Sequence, residues 1–211
     1  MNIVGVITEY NPYHNGHLYH VERARETCNA DYVISIMSGH FLQRGEPALF
    51  NKWARAKMAV RGGVDLVIEL PTAFSVRSAK TFAHGSVSLL HATRVTTHLC
   101  FGSEIGSTDD LWPAAKLLFD EPPEFKAHLN TYLSQGLSYP AARDKAVSSY
   151  SAETDSEGCP ADILSSPNNI LGIEYMKSLL ELQSDIQPVT IKRHAAGYHD
   201  TDISQGGSIA S

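Results

Sequence analysis

The sequence predicts an α/β fold built on a parallel sheet, and three observations predict it. Short apolar runs alternate with helical patterns through the first half of the chain. The segments between those runs are long enough to carry a helix back over the sheet, as parallel strands require. The chain is 211 residues long, which suits one such domain with an insertion, or at most two small domains.

Residues 2–8 read as a buried strand, and 17–28 as a helix with Leu18, Val21 and Cys28 inward. Residues 31–38 give the second strand. A helix is expected over 48–61, with Leu49, Trp53, Ala56 and Val60 on one side and Gly62-Gly63 stopping it. Residues 64–70 form the third strand, ended by Pro71; 78–92 a third helix; and 97–101 the fourth strand, ended by Gly102. Residues 107–150 hold no convincing strand, and 111–119, 123–135 and 139–150 read as short helices. With the polar stretch 151–160 read as a loop, they form a helical insertion over about 107–160. Ser166 then suits a helix cap and Pro167 the first helical position, for a helix running to about 182. Residues 187–192 give a fifth strand, and the tail 204–211 ends without a stop element.

The most informative stretch is His14-Asn15-Gly16-His17, between the first strand and the first helix. A helix N-terminus carries unpaired N–H groups and a partial positive charge, so it stabilises phosphate. Gly16 lets the backbone approach phosphates closely. The imidazoles of His14 and His17 can donate hydrogen bonds as charge shifts at phosphorus. No Cys-x-x-Cys and no His-Glu-x-x-His accompanies the pair, so phosphate chemistry is preferred to zinc, and no metal ligand is assigned.

In parallel α/β sheets ligands sit beyond the carboxyl ends of the strands. Four places meet that rule: the His-x-Gly-His loop, residues 38–44, Gly102-Ser103-Glu104, and Lys192-Arg193-His194. Convergence of all four on one crevice is the expectation. Residues 39–63 hold five cations, Arg44, Lys52, Arg55, Lys57 and Arg61, against the single acid Glu46. They read either as a solvated helix face or as a patch for phosphate. Asn168 and Asn169 fall in the first turn of a helix, where end-capping competes with reading an adenine edge or a ribose hydroxyl.

The net charge of −6 excludes a general electrostatic trap for nucleic acid. Cys28, Cys100 and Cys159 are odd in number and far apart, which suits reduced thiols in a cytosolic protein. No apolar run approaches a membrane span, and the N-terminus does not read as a signal peptide. Absence of a Walker lysine motif, a Gly-x-Gly-x-x-Gly and a Gly-x-Ser-x-Gly elbow removes most support for phosphate-loop, dinucleotide and serine-hydrolase readings.

The stretch Ile7-Thr8-Glu9-Tyr10-Asn11-Pro12-Tyr13-His14-Asn15-Gly16-His17-Leu18-Tyr19-His20 resembles the opening of the bacterial tRNA(Met) cytidine acetate ligase family. Further resemblance lies in residues 38–48, 66–71, 100–104 and 167–175, in the family's order. The resemblance implies a Rossmann-like parallel sheet of the nucleotidyltransferase type with a helical insertion. It implies a cytoplasmic enzyme that uses ATP, with Mg²⁺, to turn acetate into acetyl-adenylate. The acetyl group then passes to the wobble cytidine of elongator tRNA(Met). It also implies that ATP is bound by the stretch from Ile7 to His20 and by Gly102, Asn168 and Arg193, with His14 and His17 catalytic. Asn11 stands where the wider superfamily often has aspartate, as in the ligase family. In that family a Ser/Thr-rich motif ending in Ile-Arg and a further helical portion follow, so residues 1–211 read as the N-terminal catalytic part. Two other readings stay open: a small-molecule adenylyltransferase of the same superfamily, and a nucleotide- or RNA-binding module without catalysis.

Overall fold

The computed structural model describes residues 1–153, Cys159 and residues 163–193. Five strands, β1 (Ile3–Thr8), β2 (Tyr32–Ser38), β3 (Leu66–Leu70), β4 (His98–Ser103) and β5 (Gln187–Lys192), form one all-parallel sheet in the order β3-β2-β1-β4-β5. The chain winds outward from β1 through β2 to β3, then returns to lay β4 on the other side of β1. That reversal makes β1/β4 the topological switch point. The β1–β2 ladder runs from Ile3↔Tyr32 to Thr8↔Met37, whereas the β1–β4 ladder holds only Val4↔His98 and Gly5↔Leu99. Beyond Gly5 the carboxyl ends of β1 and β4 are therefore unpaired with each other, which leaves a crevice there.

Alternation along the strands sends side chains to two cores. On one face Val4, Val6, Val33, Met37 and Cys100 pack with Val21 and Ala24 of α1 (Asn15–Thr27) and Ala59 of α2 (Lys52–Arg61). On the other, Ile3, Ile34, Ile36, Leu99 and Phe101 pack with a helical layer. The one-turn α3 (Thr72–Ser75) leads into that layer, which comprises α4 (Ala79–Ala92), α5 (Thr108–Asp120) and α8 (Pro167–Glu181). Between α5 and α8 lie α6 (Pro123–Ser134) and α7 (Tyr139–Glu153), which pack on each other and extend this core through Phe125, Ala146 and Val147. Gly5 sits where a Cβ would meet Leu90 Cδ1 at 2.7 Å, so glycine lets α4 lie close on β1.

Several expectations need correction. The first helix begins at Asn15, not at residue 17, because His14 caps it, and Leu18 faces outward while Val21 and Cys28 are buried. The second helix begins at Lys52, not at residue 48, capped by the Asn51 side chain, which accepts from Ala54 N–H at 2.9 Å. Its buried face is Arg55 and Ala59, whereas Leu49, Trp53 and Val60 are 70%, 74% and 52% exposed. A buried arginine had taken the place that apolar periodicity assigned to tryptophan. The turn α3 was not anticipated, being too short to show a period. Residues 151–153 continue α7 rather than forming a loop. The rest of the expected 151–160 loop, apart from Cys159, lies outside the described residues, as do His194 and the 204–211 tail. Among the described residues no helix is long and apolar enough to cross a membrane.

Candidate functional site

A cleft of about 290 Å³ opens at the carboxyl ends of β1, β4 and β5, in the crevice between β1 and β4. One wall carries Gly16, His14, His17 and His20 from the first loop and helix, and Gly102, Asn168, Lys192 and Arg193 from the other side of the switch point. The expected convergence therefore holds for the first loop and for the ends of β4 and β5. Of residues 38–44, Gln43 reaches the cleft.

The two imidazoles of the His-x-Gly-His loop are fixed by the helix they begin. His14 is the cap of α1, and its Nδ1 accepts from Gly16 N–H at 3.1 Å. His17 Nδ1 accepts in return from the His14 backbone N–H at 3.3 Å. This is a capping box written with imidazoles instead of a hydroxyl and a carboxylate. Each Nδ1 is occupied as an acceptor, so the neutral ring carries its proton on Nε2. The rings stack with centroids 3.7 Å apart, and Tyr10 and Tyr13 close on His17 at 4.9 and 5.6 Å. Sequence spacing alone gives two histidines; the cap explains why they share one orientation.

Electrostatics keeps these rings neutral. Burial pulls His17 from 6.5 down to about 3, with further lowering by His14, His20 and Arg193. Burial and Arg193 pull His20 down to about 4 and also lower His14. The buried Nε2 of His20 has no hydrogen-bond partner among the described residues. The unfolded chain takes up protons on these rings near pH 6.5, while the folded chain resists until about pH 3–4. The stabilisation is therefore whole above pH 6.5 and is lost as pH falls through that window. Urea unfolding is expected to show stability dropping by at most about 1.4 kcal/mol per pH unit for each such histidine. His20→Asn should flatten that slope; an unchanged slope would show that His20 is not held neutral.

The opposite side of the wall is built by a polar lock between the end of β4 and α8. The Glu104 carboxylate accepts from Asn168 Nδ2 at 2.7 Å and from Asn169 N–H at 2.9 Å, so it caps α8. Asn169 Oδ1 accepts from the N–H groups of Glu104 and Ile105 at 3.0 and 3.2 Å, and its side chain is buried. Asn168 is thereby turned so that its Oδ1 accepts from Arg193 at 3.4 Å. A Cβ on Gly102 would lie 3.2 Å from Arg193 Cγ, so the arginine stem lies across the end of β4. Neither asparagine side chain caps α8: Glu104 does so, Asn169 Oδ1 holds the segment after β4 instead, and Asn168 both joins the lock and lines the cleft.

Of the residues expected to bind ATP, Ile7, Thr8, Glu9, His14, Gly16, His17, Tyr19, His20, Gly102, Asn168 and Arg193 line the cleft. Tyr10, Asn11, Pro12, Tyr13, Asn15 and Leu18 do not. Tyr10 is buried with φ +50, and the Asn11-Pro12 peptide is cis. Asn11 Oδ1 accepts from Leu49 N–H at 2.7 Å, and the Tyr13 hydroxyl donates to Gly62 O at 3.1 Å. These residues shape the loop and hang it on the segments flanking α2.

The basic stretch 39–63 divides in the same way. Lys52 pairs with Glu69 at 2.6 Å. Arg55 is fully buried and donates to the carbonyls of Glu9, Ser38, Gly39 and Phe50. Two of the five cations thus hold the site's framework, and none of the five lines the cleft. Sequence reasoning missed this role of Arg55. It also missed Phe82, Phe101, Leu171 and Tyr175 on the cleft, because helical and strand spacing reads them as ordinary core.

The family model described as HIGH Nucleotidyl Transferase matches residues 1–211. The chain is similar to the tRNA(Met) cytidine acetate ligase of Halothermothrix orenii, at 53% identity over 96% of this chain and 49% of that protein. It is similar to the ligase of the same name from Clostridium novyi, at 50% identity over 100% of this chain and 52% of that protein. Among solved structures it resembles Thermotoga maritima TmcAL bound with alpha-thio ATP, with a TM-score of 0.88, 44% identity, and coverage of 93% of this chain and 47% of that one. The apo form of the same protein gives a TM-score of 0.92 at 42% identity, covering 99% and 50%. The chain spans about half the length of the curated relatives it matches.

Proposed function

This chain belongs to the HIGH nucleotidyl transferase family, and we propose that it binds ATP in the switch-point cleft and activates acetate as acetyl-adenylate for transfer to the wobble cytidine of elongator tRNA(Met). The observation that carries the reading is the shared orientation of His14 and His17. Both present Nε2–H groups at a helix N-terminus, in the cleft that also holds Gly102, Asn168 and Arg193. The names of the similar proteins, and the ATP analogue bound to one of them, support the substrates. Residues 1–211 are read as one catalytic unit in which α5 to α7 form an insertion, working in the cytoplasm.

In this reading the triphosphate lies against the N-terminus of α1, the imidazoles and Arg193. An acetate oxygen attacks the α-phosphorus, the bond to the bridging oxygen of pyrophosphate breaks, and a mixed anhydride remains. The chain needs no covalent nucleophile, because positioning and charge stabilisation serve the step. The cytidine amine then attacks the acetyl carbonyl, the bond to AMP breaks, and the amine gives up a proton. Mg²⁺ would arrive as part of the substrate. Among the described residues Glu9 is the one carboxylate on the cleft, and its Oε1 already accepts from Gln43 N–H at 2.7 Å. Among the described residues no group of three His, Cys, Asp or Glu is placed to hold a metal.

The test is incubation of the protein with ATP, isotope-labelled acetate and total tRNA. Acetate-dependent AMP and a labelled acetylcytidine, seen by mass spectrometry of the tRNA digest, are expected. Adenylyl transfer to a small molecule without dependence on acetate would replace this reading with that of a small-molecule adenylyltransferase.

A further inference from the structure

The cleft has two chemically different parts, and the polar wall accounts for only one of them. Its other part is an apolar floor made by Ile7 of β1, Phe82 of α4, Phe101 of β4, and Leu171 and Tyr175 of α8. Phe82, Phe101 and Tyr175 are 3%, 4% and 5% exposed, so each shows the cleft only a small part of its surface. Stacking a base covers most of a ring face, and so little exposed ring surface counts against the floor as a seat for adenine or cytosine. The floor is also stiff. Phe101 and Tyr175 meet edge to face at 5.7 Å, and α8 presses on Phe101 at Gly172, where any Cβ would collide with the ring.

One polar group interrupts this floor. The Tyr175 hydroxyl has no hydrogen-bond partner among the described residues; the residue is buried, but the hydroxyl is not among the sealed, unpartnered polar atoms, and it opens on the cleft. Burial, with Glu9 nearby, pushes its pKa up, so the hydroxyl remains a donor at all ordinary pH values. A donor that opens into a largely apolar cleft without a protein acceptor is left free to meet a ligand oxygen. The charge of the lining allows an anion there: Lys192 and Arg193 stand against Glu9, while the neutral histidines add nothing.

We infer that this floor is the seat of the carboxylic acid, with the Tyr175 O–H donating to a carboxylate oxygen and Ile7, Phe82, Phe101 and Leu171 enclosing a short alkyl group. The inference rests on the acid-activating reading above and adds the residues that choose the acid. An acid seated there has its alkyl end against carbon and its second oxygen free to face the triphosphate wall. A rigid apolar floor holds a methyl group and rejects longer chains by overlap, since a single methylene in such a pocket discriminates about 10-fold or more.

The experiment uses the whole chain with a non-hydrolysable ATP analogue and follows saturation transfer from the protein to the methyl protons of acetate and propionate. Acetate is expected to bind ahead of propionate. Tyr175→Phe, which keeps the ring and the packing, should weaken acetate about 10-fold or more while analogue affinity stays within about twofold. Leu171→Ala should shift preference toward propionate by about 10-fold. Absence of acetate binding, unchanged acetate affinity in Tyr175→Phe, or a parallel loss of analogue affinity would each overturn the assignment. Acetate-dependent exchange of labelled pyrophosphate into ATP is measured alongside. Its absence while acetate still binds the floor would refute the activation chemistry and leave the acid site standing.

Discussion

Replacing Arg55 by methionine is expected to cost the fold about 4 kcal/mol or more, enough to unfold a domain of ordinary stability. The guanidinium is fully buried and reaches the carbonyls of Glu9, Ser38, Gly39 and Phe50. Glu9 follows β1 and Gly39 follows β2, so one side chain gathers the carboxyl ends of two neighbouring strands. Desolvating a cation is expensive, and these bonds offset it only as a set. Methionine fills much of the volume but donates nothing, so several carbonyls lose their donor at about 1–3 kcal/mol each. Lysine should recover part of the loss, because an ammonium donates but lacks the fork that spans divergent acceptors. Urea unfolding followed by circular dichroism reads the effect. A loss below about 1 kcal/mol in Arg55→Met would mean that water replaces the guanidinium.

Arg55 also marks where the sequence stops being readable. Strands are legible because β1, β2 and β4 are buried on both faces and show as apolar runs, and their order follows from alternation with helices. The second helix misleads for a physical reason. Apolar periodicity assumes that the core side carries carbon, yet here the core side carries a cation satisfied by backbone carbonyls, and Trp53 is 74% exposed. The candidate site divides likewise. The His14 to His17 loop is legible because position, glycine and imidazole spacing agree. The lock of Glu104 with Asn168 and Asn169 is half legible: helix-start asparagines announce a cap, but their partner lies 64 residues away for Asn168 and 65 for Asn169. Phe82, Leu171 and Tyr175 carry no separate signal, since a side chain lining a cleft from the core has the same spacing as one filling the core.

His17→Ala is expected to slow acetate-dependent adenylate formation by about 10²-fold or more, with a smaller loss of ATP affinity. The ring is neutral, with Nδ1 held by the His14 N–H, so Nε2–H is the atom left to act on the triphosphate. Against a ground-state phosphate a neutral donor adds modest binding. As pyrophosphate departs, negative charge grows on its oxygens, and a fixed donor in a partly desolvated cleft gains strength without having to reorient. The ring can also move toward the imidazolium at that moment, because the anion offsets the burial that otherwise holds His17 at about 3. Two variants separate this role from helix capping. In His17→Asn the side-chain oxygen can replace Nδ1 as the cap acceptor, so the fold should keep its stability while the rate still falls. In His17→Gln the amide nitrogen reaches toward the place of Nε2, so part of the rate should return. Rates come from pyrophosphate exchange and affinities from ATP titration of the same preparations. Equal losses of affinity and rate in His17→Ala would make the imidazole an anchor for bound ATP rather than a group acting on the transition state.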